Sequence, residues 1–388
     1  MAAQLSNKGY WLSSFSEPGK IIDLPVPKAS SGSVVVEVLA TLVLPYLTQI
    51  HQGGVQQANL MLPLVPNANC IGRIIEVGPD ATLLKPGDLV WADSTIIGRD
   101  DSTVVIVQGH LGGLGERGRT LMQGEWRDGS FQQYQKVPLE SCHLLNTNRL
   151  VKDLGYNLLE LTTIILYTVA GGAMLEMANL QVGQTVVIGP ATGSFSGAAV
   201  ELALICGANV VAIGRTKETL VKLKEKLGNP ERLKYAVMTG DVDADAAAIL
   251  RLTPDEKGAD VFNDWTPGWI EKPVFLQAGL KTLKVWGKVV LSGAAWGSAD
   301  IPYAESIHNN WQVIARWCCA RATLTRVLDL INQGQLKIGK STGGEFTTFE
   351  QVEEVERAKE HASKNGRFKQ YTVLLPNGPI ETIRLRRQ

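Results

Sequence analysis

From about residue 158 onward, apolar runs of strand length alternate with stretches of helical periodicity, and this alternation constrains the fold most. Strands are predicted at residues 184–189, 209–213, 234–238, 259–263, 286–292 and 311–316. Helices are predicted between them, for example after Gly197, where Ala199, Leu202 and Ile205 share one face. Alternating strands and helices form a parallel sheet covered on both sides. The sequence therefore predicts a doubly wound α/β fold for this part of the chain.

A glycine-containing turn follows the first of these strands. The run Thr185–Ile188 leads into Gly189-Pro190-Ala191-Thr192-Gly193-Ser194-Phe195-Ser196-Gly197 and then into a predicted helix. A strand, a glycine turn and a helix in this order place a pyrophosphate on the backbone N–H groups of the helix N-terminus. The glycine spacing is irregular, because Pro190 and Ser196 stand where a regular pattern has glycine, so an ordinary strand–helix turn is the alternative. The predicted cofactor contacts here are Gly189, Gly193, Ser194, Phe195 and Ser196, with Ser292 at the end of a later strand.

The end of the second strand indicates which nicotinamide cofactor the turn would hold. An NAD site has an Asp or Glu here, which binds the ribose 2′-hydroxyl. This chain has Gly214 followed by Arg215, with Lys217 close by. A carboxylate would repel a 2′-phosphate, whereas a guanidinium can pair with it. The sequence therefore predicts NADP(H) rather than NAD(H), the alternative being a solvated arginine at a strand end.

Composition excludes several classes of protein. Lys and Arg total 38 and Asp and Glu total 38, so the chain lacks the basic surplus of a nucleic-acid-binding protein. The five cysteines contain no CxxC pattern and fit neither a disulfide framework nor a zinc knuckle. The first eight residues lack the apolar segment of a signal peptide, and the longest apolar stretches are interrupted before they reach membrane-spanning length. We expect a cytoplasmic protein that acts on a small molecule, with no nucleic-acid or membrane partner.

Several short motifs, in order, resemble the medium-chain dehydrogenase/reductase superfamily over nearly the whole chain. They are the strand at 34–38 with the loop 40–46, Pro66–Gly72, Pro86-Gly87-Asp88-Leu89-Val90, Gly258–Asp264 and Gly287–Gly293. The resemblance implies a β-rich GroES-like catalytic domain over residues 1–157 and a Rossmann NADP-binding domain over 158–325. Residues 326–388 would then return to the catalytic domain. The segment 93–130 is rich in Gly, Asp and Arg and is predicted to be mostly loop.

Departures from the family pattern point to its zinc-free branch. Where zinc-dependent members have a cysteine and a histidine ligand, this chain has Leu44 and Ala68, and Asn69 replaces a glutamate. Residues 93–130, where a structural zinc lobe would fall, contain no cysteine. The chain therefore resembles quinone oxidoreductases and enone reductases. The Asn-Pro of that branch is Leu44-Pro45 here, and its threonine before the Rossmann domain falls near Ala170.

Without a metal, hydride transfer to an enone or quinone is easier than oxidation of an unactivated alcohol. The protein then has to supply a hydrogen-bond donor for the developing oxyanion. Tyr46 is the first candidate, with packing in the pocket wall as the alternative. Asn67 is the second, with local turn bonding as its alternative. Asn69, Trp265 and Trp296 are predicted to line the substrate pocket, with simple packing or turn bonding as the alternative for each.

The predicted function is zinc-independent, NADP(H)-dependent reduction of an enone or quinone. A ketone reductase or alcohol dehydrogenase, and a redox-silent binder or cyclase of the same fold, remain alternatives. The sequence leaves the substrate and the direction of the reaction open. The apolar segment 311–315 at a predicted sheet edge, together with the resemblance, predicts a homodimer.

Overall fold

The structure is a computed structural model that describes residues 6–55, 58–113 and 115–380. The described chain forms two compact units. Unit 1 runs up to Thr163 and takes in Gly344–Gly366 and the residues from Gln370 onward. Unit 2 consists of Ile164–Gly343 and the three residues Arg367–Lys369. These bounds differ from the predicted ones mainly at the C-terminal side, where the return to unit 1 comes at residue 344 rather than at 326.

Strands dominate unit 1 and alternate with helices in unit 2. The strands in chain order are β1 (Asn7–Trp11), β2 (Lys20–Leu24), β3 (Ser33–Val43), β4 (Cys70–Val77), β5 (Leu89–Ala92), β6 (Thr95–Ile97), β7 (Val105–Val107), β8 (Tyr134–Pro138), β9 (Cys142–Leu144), β10 (Thr185–Gly189), β11 (Asn209–Gly214), β12 (Leu233–Val237), β13 (Ala259–Asp264), β14 (Leu283–Leu291), β15 (Gln312–Ala315), β16 (Glu345–Phe349) and β17 (Gln370–Leu374).

The α-helices range from one turn to three turns. In chain order they are α1 (Leu47–His51), α2 (Gly115–Gln123), α3 (Leu158–Leu161), α4 (Ile164–Gly171), α5 (Ser194–Ile205), α6 (Lys217–Lys226), α7 (Val242–Leu250), α8 (Leu276–Leu280), α9 (Tyr303–His308), α10 (Arg321–Asn332) and α11 (Val355–Lys364). The described chain also has two short π-helices, one at Asn148–Asp153 before α3 and one at Gly172–Met177 directly after α4.

Unit 2 is built on one six-stranded parallel sheet in the order β12-β11-β10-β13-β14-β15. The six strands lie within a few residues of their predicted positions, because each is a short apolar run between turn residues. From β10 the chain builds outward through β11 and β12, and then starts again on the other side with β13. Ligands of doubly wound sheets bind at the carboxyl ends of the strands at such a reversal. The fold therefore places the glycine turn after β10 at the expected position for a dinucleotide.

Unit 1 is built on a seven-stranded, mostly antiparallel sheet. Its main order is β16-β17-β3-β4-β5-β9, and β8 also pairs with β3. The long strand β3 is buried along almost its whole length because it is paired on both sides, and its valines pack with Ile74, Val90 and Val137. The C-terminal strand β17 pairs with β3, which returns the end of the described chain to this unit.

One sequence expectation is confirmed and one needs correction. The segment 93–130 is mostly loop, as predicted, although it also contains the short antiparallel pair β6–β7 and the helix α2. The polar and glycine residues that suggested a loop lie between these short elements. The segment Leu158–Met177 is long and apolar enough to cross a membrane by composition alone, contrary to the prediction. Most of this segment is buried inside the protein, as in a core helix. The signal-peptide expectation rests partly on residues 1–5, which lie outside the described residues.

Candidate functional site

Side-chain packing constrains the start of the turn between β10 and α5, and a capping hydrogen bond constrains its end. A Cβ on Gly189 would lie well under 3.0 Å from the side chain of Ile213, so this position requires glycine. Gly193 stands immediately before α5, and its backbone N–H donates to the hydroxyl of Ser196 at 3.1 Å. Ser196, which breaks the glycine spacing, thus serves as a capping residue. The helix N-terminus that this turn presents carries the partial positive charge that favours an anion.

A three-residue strap, Arg367–Lys369, lies against the same turn. Arg367 forms an isolated antiparallel bridge with Gly193, and the backbone N–H of Phe368 donates to Thr192 at 3.2 Å. The Phe368 ring packs so closely on Gly197 that a Cβ there would lie well under 3.0 Å from it. The strap therefore places an additional arginine beside the turn. Sequence reasoning missed it, because the strap is far from the turn along the chain.

A buried ion pair anchors this strap. The ammonium of Lys369 donates to both carboxylate oxygens of Glu201 on α5, at 3.1 and 2.9 Å, and to the hydroxyl of Thr342 at 2.7 Å. Tyr167 donates to the same carboxylate at 2.6 Å. Burial lowers the pKa of Lys369, which Glu201 opposes by favouring the charged ammonium.

Aromatic and polar residues at the ends of β13 and β14 adjoin the glycine turn. The rings of Phe195 and Trp265 stack with centroids 6.4 Å apart and planes within 6° of each other. The backbone N–H of Trp265 donates to Gly189 at 2.8 Å, and its indole N–H donates to Asn263. Asn263 in turn donates to the hydroxyl of Ser292 at 3.0 Å. The predicted residues Gly189, Phe195, Trp265 and Ser292 are therefore brought together.

Trp296 is not part of this connected group in the described contacts. Its side chain is 52% exposed, and its backbone N–H donates to Ile270 at 3.3 Å. The prediction that it lines the pocket rested on its position after a strand end. The structure shows that β14 ends at Leu291, several residues earlier, so Trp296 lies in the following loop.

A buried carboxyl group that sequence reasoning did not single out lies next to the turn. Asp264 pairs in register with Gly189 and accepts hydrogen bonds from the backbone N–H and the hydroxyl of Thr266, at 3.1 and 2.7 Å. Burial raises the pKa of Asp264 to about 6 in spite of these two bonds. The sequence feature that could have identified Asp264 is its position directly after a predicted buried strand. The two hydrogen bonds to Thr266 thus fix the orientation of this carboxyl group.

The end of β11 carries exposed cations and no carboxylate at the position typical of NAD sites. β11 ends at the buried Gly214, and Arg215 and Lys217 follow with exposed side chains. A Cβ on Gly214 would meet Leu220 at 3.4 Å, which is ordinary van der Waals contact. Packing therefore does not require glycine at position 214. The absence of an Asp or Glu at this position is not explained by a lack of space for a Cβ. Glu218, in the first turn of α6, is the nearest acid along the chain.

In unit 1, Tyr46 lies beside a buried histidine. Tyr46 immediately precedes α1, and its hydroxyl oxygen lies 3.4 Å from Nε2 of His110, with the ring centroids 5.7 Å apart. Burial lowers the pKa of His110 to about 4, so its imidazole is neutral at physiological pH. His51, at the end of α1, is also buried, and burial, followed by Lys359 and His110, lowers its pKa well below the ordinary value. No motif in the sequence singled out either histidine.

Asn67 and Asn69 belong to the framework around Tyr46. The amide nitrogen of Asn67 donates to the hydroxyls of Thr41 at 2.7 Å and Ser130 at 3.1 Å. Its backbone N–H donates to Gly109, the residue before His110, at 2.8 Å. Both asparagines have left-handed backbone conformations, with φ of 87° and 36°, which asparagine tolerates. A donor role of Asn67 toward substrate stays a prediction that these hydrogen bonds disfavour, because its amide is already engaged.

The buried amide nitrogen of Asn69 has no hydrogen-bond partner among the described residues. Its backbone carbonyl accepts from Thr41 at 2.7 Å, so the peptide is held while the side chain keeps a donor available. An unpaired buried donor is costly, which favours a ligand or water as its partner. A role for Asn69 in binding substrate therefore stays a prediction.

Two family models match consecutive parts of the chain. The model described as alcohol dehydrogenase GroES-like domain matches residues 30–147, and the model described as zinc-binding dehydrogenase matches residues 196–333. Together they match about two thirds of the chain and cover parts of both units. The chain belongs to the medium-chain dehydrogenase/reductase superfamily. The fold predicted from the resemblance, a GroES-like domain with a Rossmann-type parallel sheet, is thereby confirmed.

Several solved structures share this fold along nearly the entire chain. The crystal structure of AibC has 20% sequence identity and a TM-score of 0.75, over 96% of this chain and 97% of that chain. A "putative zinc-binding dehydrogenase" from Sinorhizobium meliloti 1021, solved bound to NADP, has 17% identity and a TM-score of 0.74, over 96% of this chain and 100% of that chain. At these identities the likeness establishes the fold alone.

Curated relatives of the superfamily match shorter stretches. The L-threonine 3-dehydrogenase of Streptomyces coelicolor is 27% identical over 55% of this chain and 58% of its own length. The "Putative NADP-dependent oxidoreductase YfmJ" of Bacillus subtilis is 24% identical over 70% and 65%, respectively. The acryloyl-coenzyme A reductase of Metallosphaera sedula is 30% identical over 50% and 54%. The chain thus matches between about half and two thirds of the length of these relatives.

Zinc-binding members of the superfamily need a cluster of ligating side chains. Within residues 6–55, 58–113 and 115–380, no group of three or more His, Cys, Asp or Glu is placed to hold a metal ion. Leu44 and Ala68, at the positions of the family's ligands, are both buried and cannot ligate. The donor set around Tyr46 therefore does not fit a catalytic zinc, and zinc independence remains to be tested by metal analysis.

Proposed function

We propose that the protein is a zinc-independent, NADP(H)-dependent oxidoreductase that reduces the activated double bond of an enone, or a quinone, by hydride transfer. The observation that carries the proposal is the Tyr46 hydroxyl beside the neutral His110. Leu44, two residues before Tyr46, and Ala68, just before β4, stand where the resemblance implies metal ligands in zinc-dependent members. A neutral hydroxyl donor suits an oxygen that gains negative charge during reduction.

Unit 2 provides the features that support NADP(H). The glycine turn and the N-terminus of α5 suit a pyrophosphate, and the stacked pair of Phe195 and Trp265 gives a flat apolar wall beside it. The exposed Arg215 and Lys217 follow β11, where an acid would be needed for NAD. A bound NADPH would supply the hydride. The chain's own contribution is to bind and orient that cofactor.

Unit 1 provides the polar groups for the substrate. Tyr46 is proposed to donate a hydrogen bond to the substrate oxygen as negative charge develops on it. Asn67 holds Thr41, Ser130 and the loop of His110 in place, and the unpaired amide of Asn69 is proposed to bind substrate. This contact of Tyr46 becomes stronger in the transition state than in the ground state, so it accelerates the reaction rather than only tightening binding.

The names of the relatives support two of the possible functions. The relatives include an acryloyl-coenzyme A reductase and an NADP-dependent oxidoreductase, which favour reduction with NADPH. They also include L-threonine dehydrogenases and an alcohol dehydrogenase from Geobacillus stearothermophilus, so a ketone reductase or alcohol dehydrogenase is the second candidate. A redox-silent binder or cyclase is the third, and it is supported only by the irregular glycine turn.

The first experiment separates these functions. The absorbance of NADPH is followed with a panel of enones, quinones and ketones, because the cofactor carries the hydride. Consumption with enones or quinones and not with simple ketones supports the proposal. Consumption only with ketones supports the second candidate. Binding of NADPH without consumption by any member of the panel would favour the redox-silent alternative.

The second experiment tests the cofactor assignment. We expect NADPH to bind at least about tenfold more tightly than NADH, and Arg215→Ala to remove much of the difference, because a charge-assisted phosphate contact contributes about 1.5–3 kcal/mol. Arg251→Ala is the matched control, because Arg251 follows α7 and helices of such a sheet end at the edge opposite the strands' carboxyl ends. Equal dissociation constants for the two cofactors in the parent protein would contradict the assignment.

We also propose a cytoplasmic homodimer. Strand β15 is the edge of the sheet in unit 2, and three of its four residues are exposed, including Val313. Val285 and Trp286, at the start of the neighbouring strand β14, are exposed as well. An apolar open edge invites pairing with a second strand. Light scattering at micromolar concentration should give a dimer, and a 42.0 kDa species would count against it.

A further inference from the structure

His110 is held rigidly by its backbone, in the loop between β7 and α2. Its own N–H donates to Val107 at 2.9 Å. The preceding Gly109 accepts from the backbone of Asn67 and has a left-handed φ of 67°. A Cβ on Gly109 would lie about as close as 2.5 Å to Gly129, so the loop is packed against a second backbone segment. This framework fixes the backbone of His110, from which the imidazole projects.

The two ring nitrogens of His110 have different surroundings. Nε2 lies 3.4 Å from the hydroxyl oxygen of Tyr46. Nδ1 is buried and has no hydrogen-bond partner in the part of the chain that the structure describes. A contact of 3.4 Å is long for a hydrogen bond, but catalytic hydrogen bonds often shorten when the substrate binds. Nε2 is thus the ring nitrogen that can form a hydrogen bond with the Tyr46 hydroxyl.

A neutral imidazole carries one N–H and one lone pair, so the position of its proton decides how it acts. With the proton on Nδ1, a buried N–H would lack an acceptor and Tyr46 would donate its hydrogen to Nε2. With the proton on Nε2, the imidazole donates to the Tyr46 oxygen and only a lone pair is left without a partner. Buried N–H groups without an acceptor are rarer in proteins than under-satisfied acceptors. The second tautomer is therefore favoured.

We propose that His110 is a positioning residue for Tyr46, holding it as a hydrogen-bond donor by donating from Nε2 to its hydroxyl oxygen. In this arrangement the hydrogen of Tyr46 cannot point at His110 and is directed toward another acceptor. The donated hydrogen bond also withdraws electron density from the phenol oxygen and strengthens Tyr46 as a donor. The inference rests on the proposed function, in which Tyr46 donates to the substrate oxygen.

The first test does not depend on activity. Nitrogen-15 NMR of the histidine side chains distinguishes the two neutral tautomers and the imidazolium by their chemical shifts, and the chain has only five histidines. His110→Gln identifies the signal by removing it. We expect the Nε2–H form at pH 7. A signal of the Nδ1–H form or of the imidazolium would overturn the assignment, whatever the substrate proves to be.

The second test measures whether His110 acts through Tyr46. Glutamine places its amide nitrogen close to the position of Nε2, and asparagine places it close to that of Nδ1. We expect His110→Asn to lower kcat about fivefold to tenfold, the range for one lost neutral hydrogen bond, with little change in KM or in the NADPH dissociation constant. His110→Gln should retain most of kcat. His110→Leu should resemble His110→Asn, and the polar pair keeps the test usable should the leucine variant fail to fold.

A double-mutant cycle provides the decisive comparison. In a Tyr46→Phe background, His110→Asn should change kcat by less than about twofold, because the oxygen on which it acts is gone. Full additivity of the two losses would overturn the proposal, as would equal losses in His110→Gln and His110→Asn. His51→Leu is the matched control, since His51 is equally buried and neither ring nitrogen has a partner among the described residues.

The cycle also separates this inference from the function on which it rests. An unchanged kcat in Tyr46→Phe would remove Tyr46 as the donor and with it the proposed role in catalysis. A loss in Tyr46→Phe of about a hundredfold, typical of a lost oxyanion donor, combined with no loss in His110→Asn, would leave Tyr46 in place and overturn only the role of His110.

Discussion

Removing the buried ammonium of Lys369 should be among the most destabilising single changes in unit 2. The side chain is 0% exposed, and its ammonium bonds both oxygens of Glu201 and the hydroxyl of Thr342. Lys369→Met keeps much of the apolar stem but leaves the carboxylate of Glu201 buried without its cation. Breaking a buried pair in this way costs about 3–5 kcal/mol, so we expect a loss of that size in the free energy of unfolding.

The physical reason can be tested separately from the size of the loss. If the cost comes from the unpaired charge, neutralising the carboxylate should recover a large part of it. Glu201→Gln keeps an oxygen that can accept the hydrogen bond from Tyr167. The double variant Lys369→Met/Glu201→Gln should therefore be more stable than Lys369→Met alone by at least about 1 kcal/mol, because it no longer buries an uncompensated charge.

Urea unfolding followed by tryptophan fluorescence measures these differences. Lys364→Met is the matched control, because Lys364 pairs with Glu360 at 2.7 Å on the surface, with side chains 69% and 65% exposed. An exposed pair contributes at most about 0.5–1 kcal/mol. A loss in Lys369→Met no larger than in this control would refute the reasoning, and so would a double variant that is less stable than either single variant.

Three further predictions concern packing, pH and metal content. Gly197→Ala should lower stability by about 1–3 kcal/mol in thermal unfolding, because its Cβ would collide with Phe368, whereas Gly193→Ala meets only the Ser196 hydroxyl at 3.3 Å and should cost less. Burial lowers the pKa of His110 from 6.5 to about 4, so the unfolded state binds the extra proton between these pH values and the folded state loses stability as the pH falls through them. Between pH 7 and pH 4 the parent should therefore lose about 3 kcal/mol more than His110→Leu, and parallel stability curves would contradict this. Elemental analysis should find no stoichiometric zinc in the purified protein, and one zinc per chain with activity lost on chelation would disprove zinc independence.

The parts of the fold and of the site that could be predicted are those encoded by neighbouring residues. The strand before Gly189, the turn up to Gly193 and the helix after it follow from an apolar run, small residues and helical periodicity within a single stretch. The end of β11, with Arg215, was found for the same reason. Such local signals also placed all six strands of the parallel sheet, because parallel strands are buried on both faces and read as continuous apolar runs.

The parts that could not be predicted depend on contacts between distant segments. Tyr46 and His110 come together across 64 positions of sequence, and nothing in the local composition around His110 marks it. Arg367 reaches the glycine turn from near the end of the chain. Asn67 shows that residue type alone does not predict a role. An asparagine suggested a hydrogen-bond donor to substrate, but its amide nitrogen donates to the hydroxyls of Thr41 and Ser130.

The strap also affects the order in which the protein can mature on the ribosome. Residues 164–343 leave the ribosome as one stretch, yet the partner of their buried Glu201 is Lys369, which is made only after another segment of unit 1. Until then the carboxylate of Glu201 lacks its ammonium partner, and Gly197 lacks its contact with Phe368. Nascent unit 2 therefore has an incompletely packed core, and such partly folded states are prone to misassembly. A fragment that ends at residue 343 would have the same defect permanently. The Rossmann-type unit therefore depends on a segment, Arg367–Lys369, that lies outside the stretch of sequence that forms its sheet.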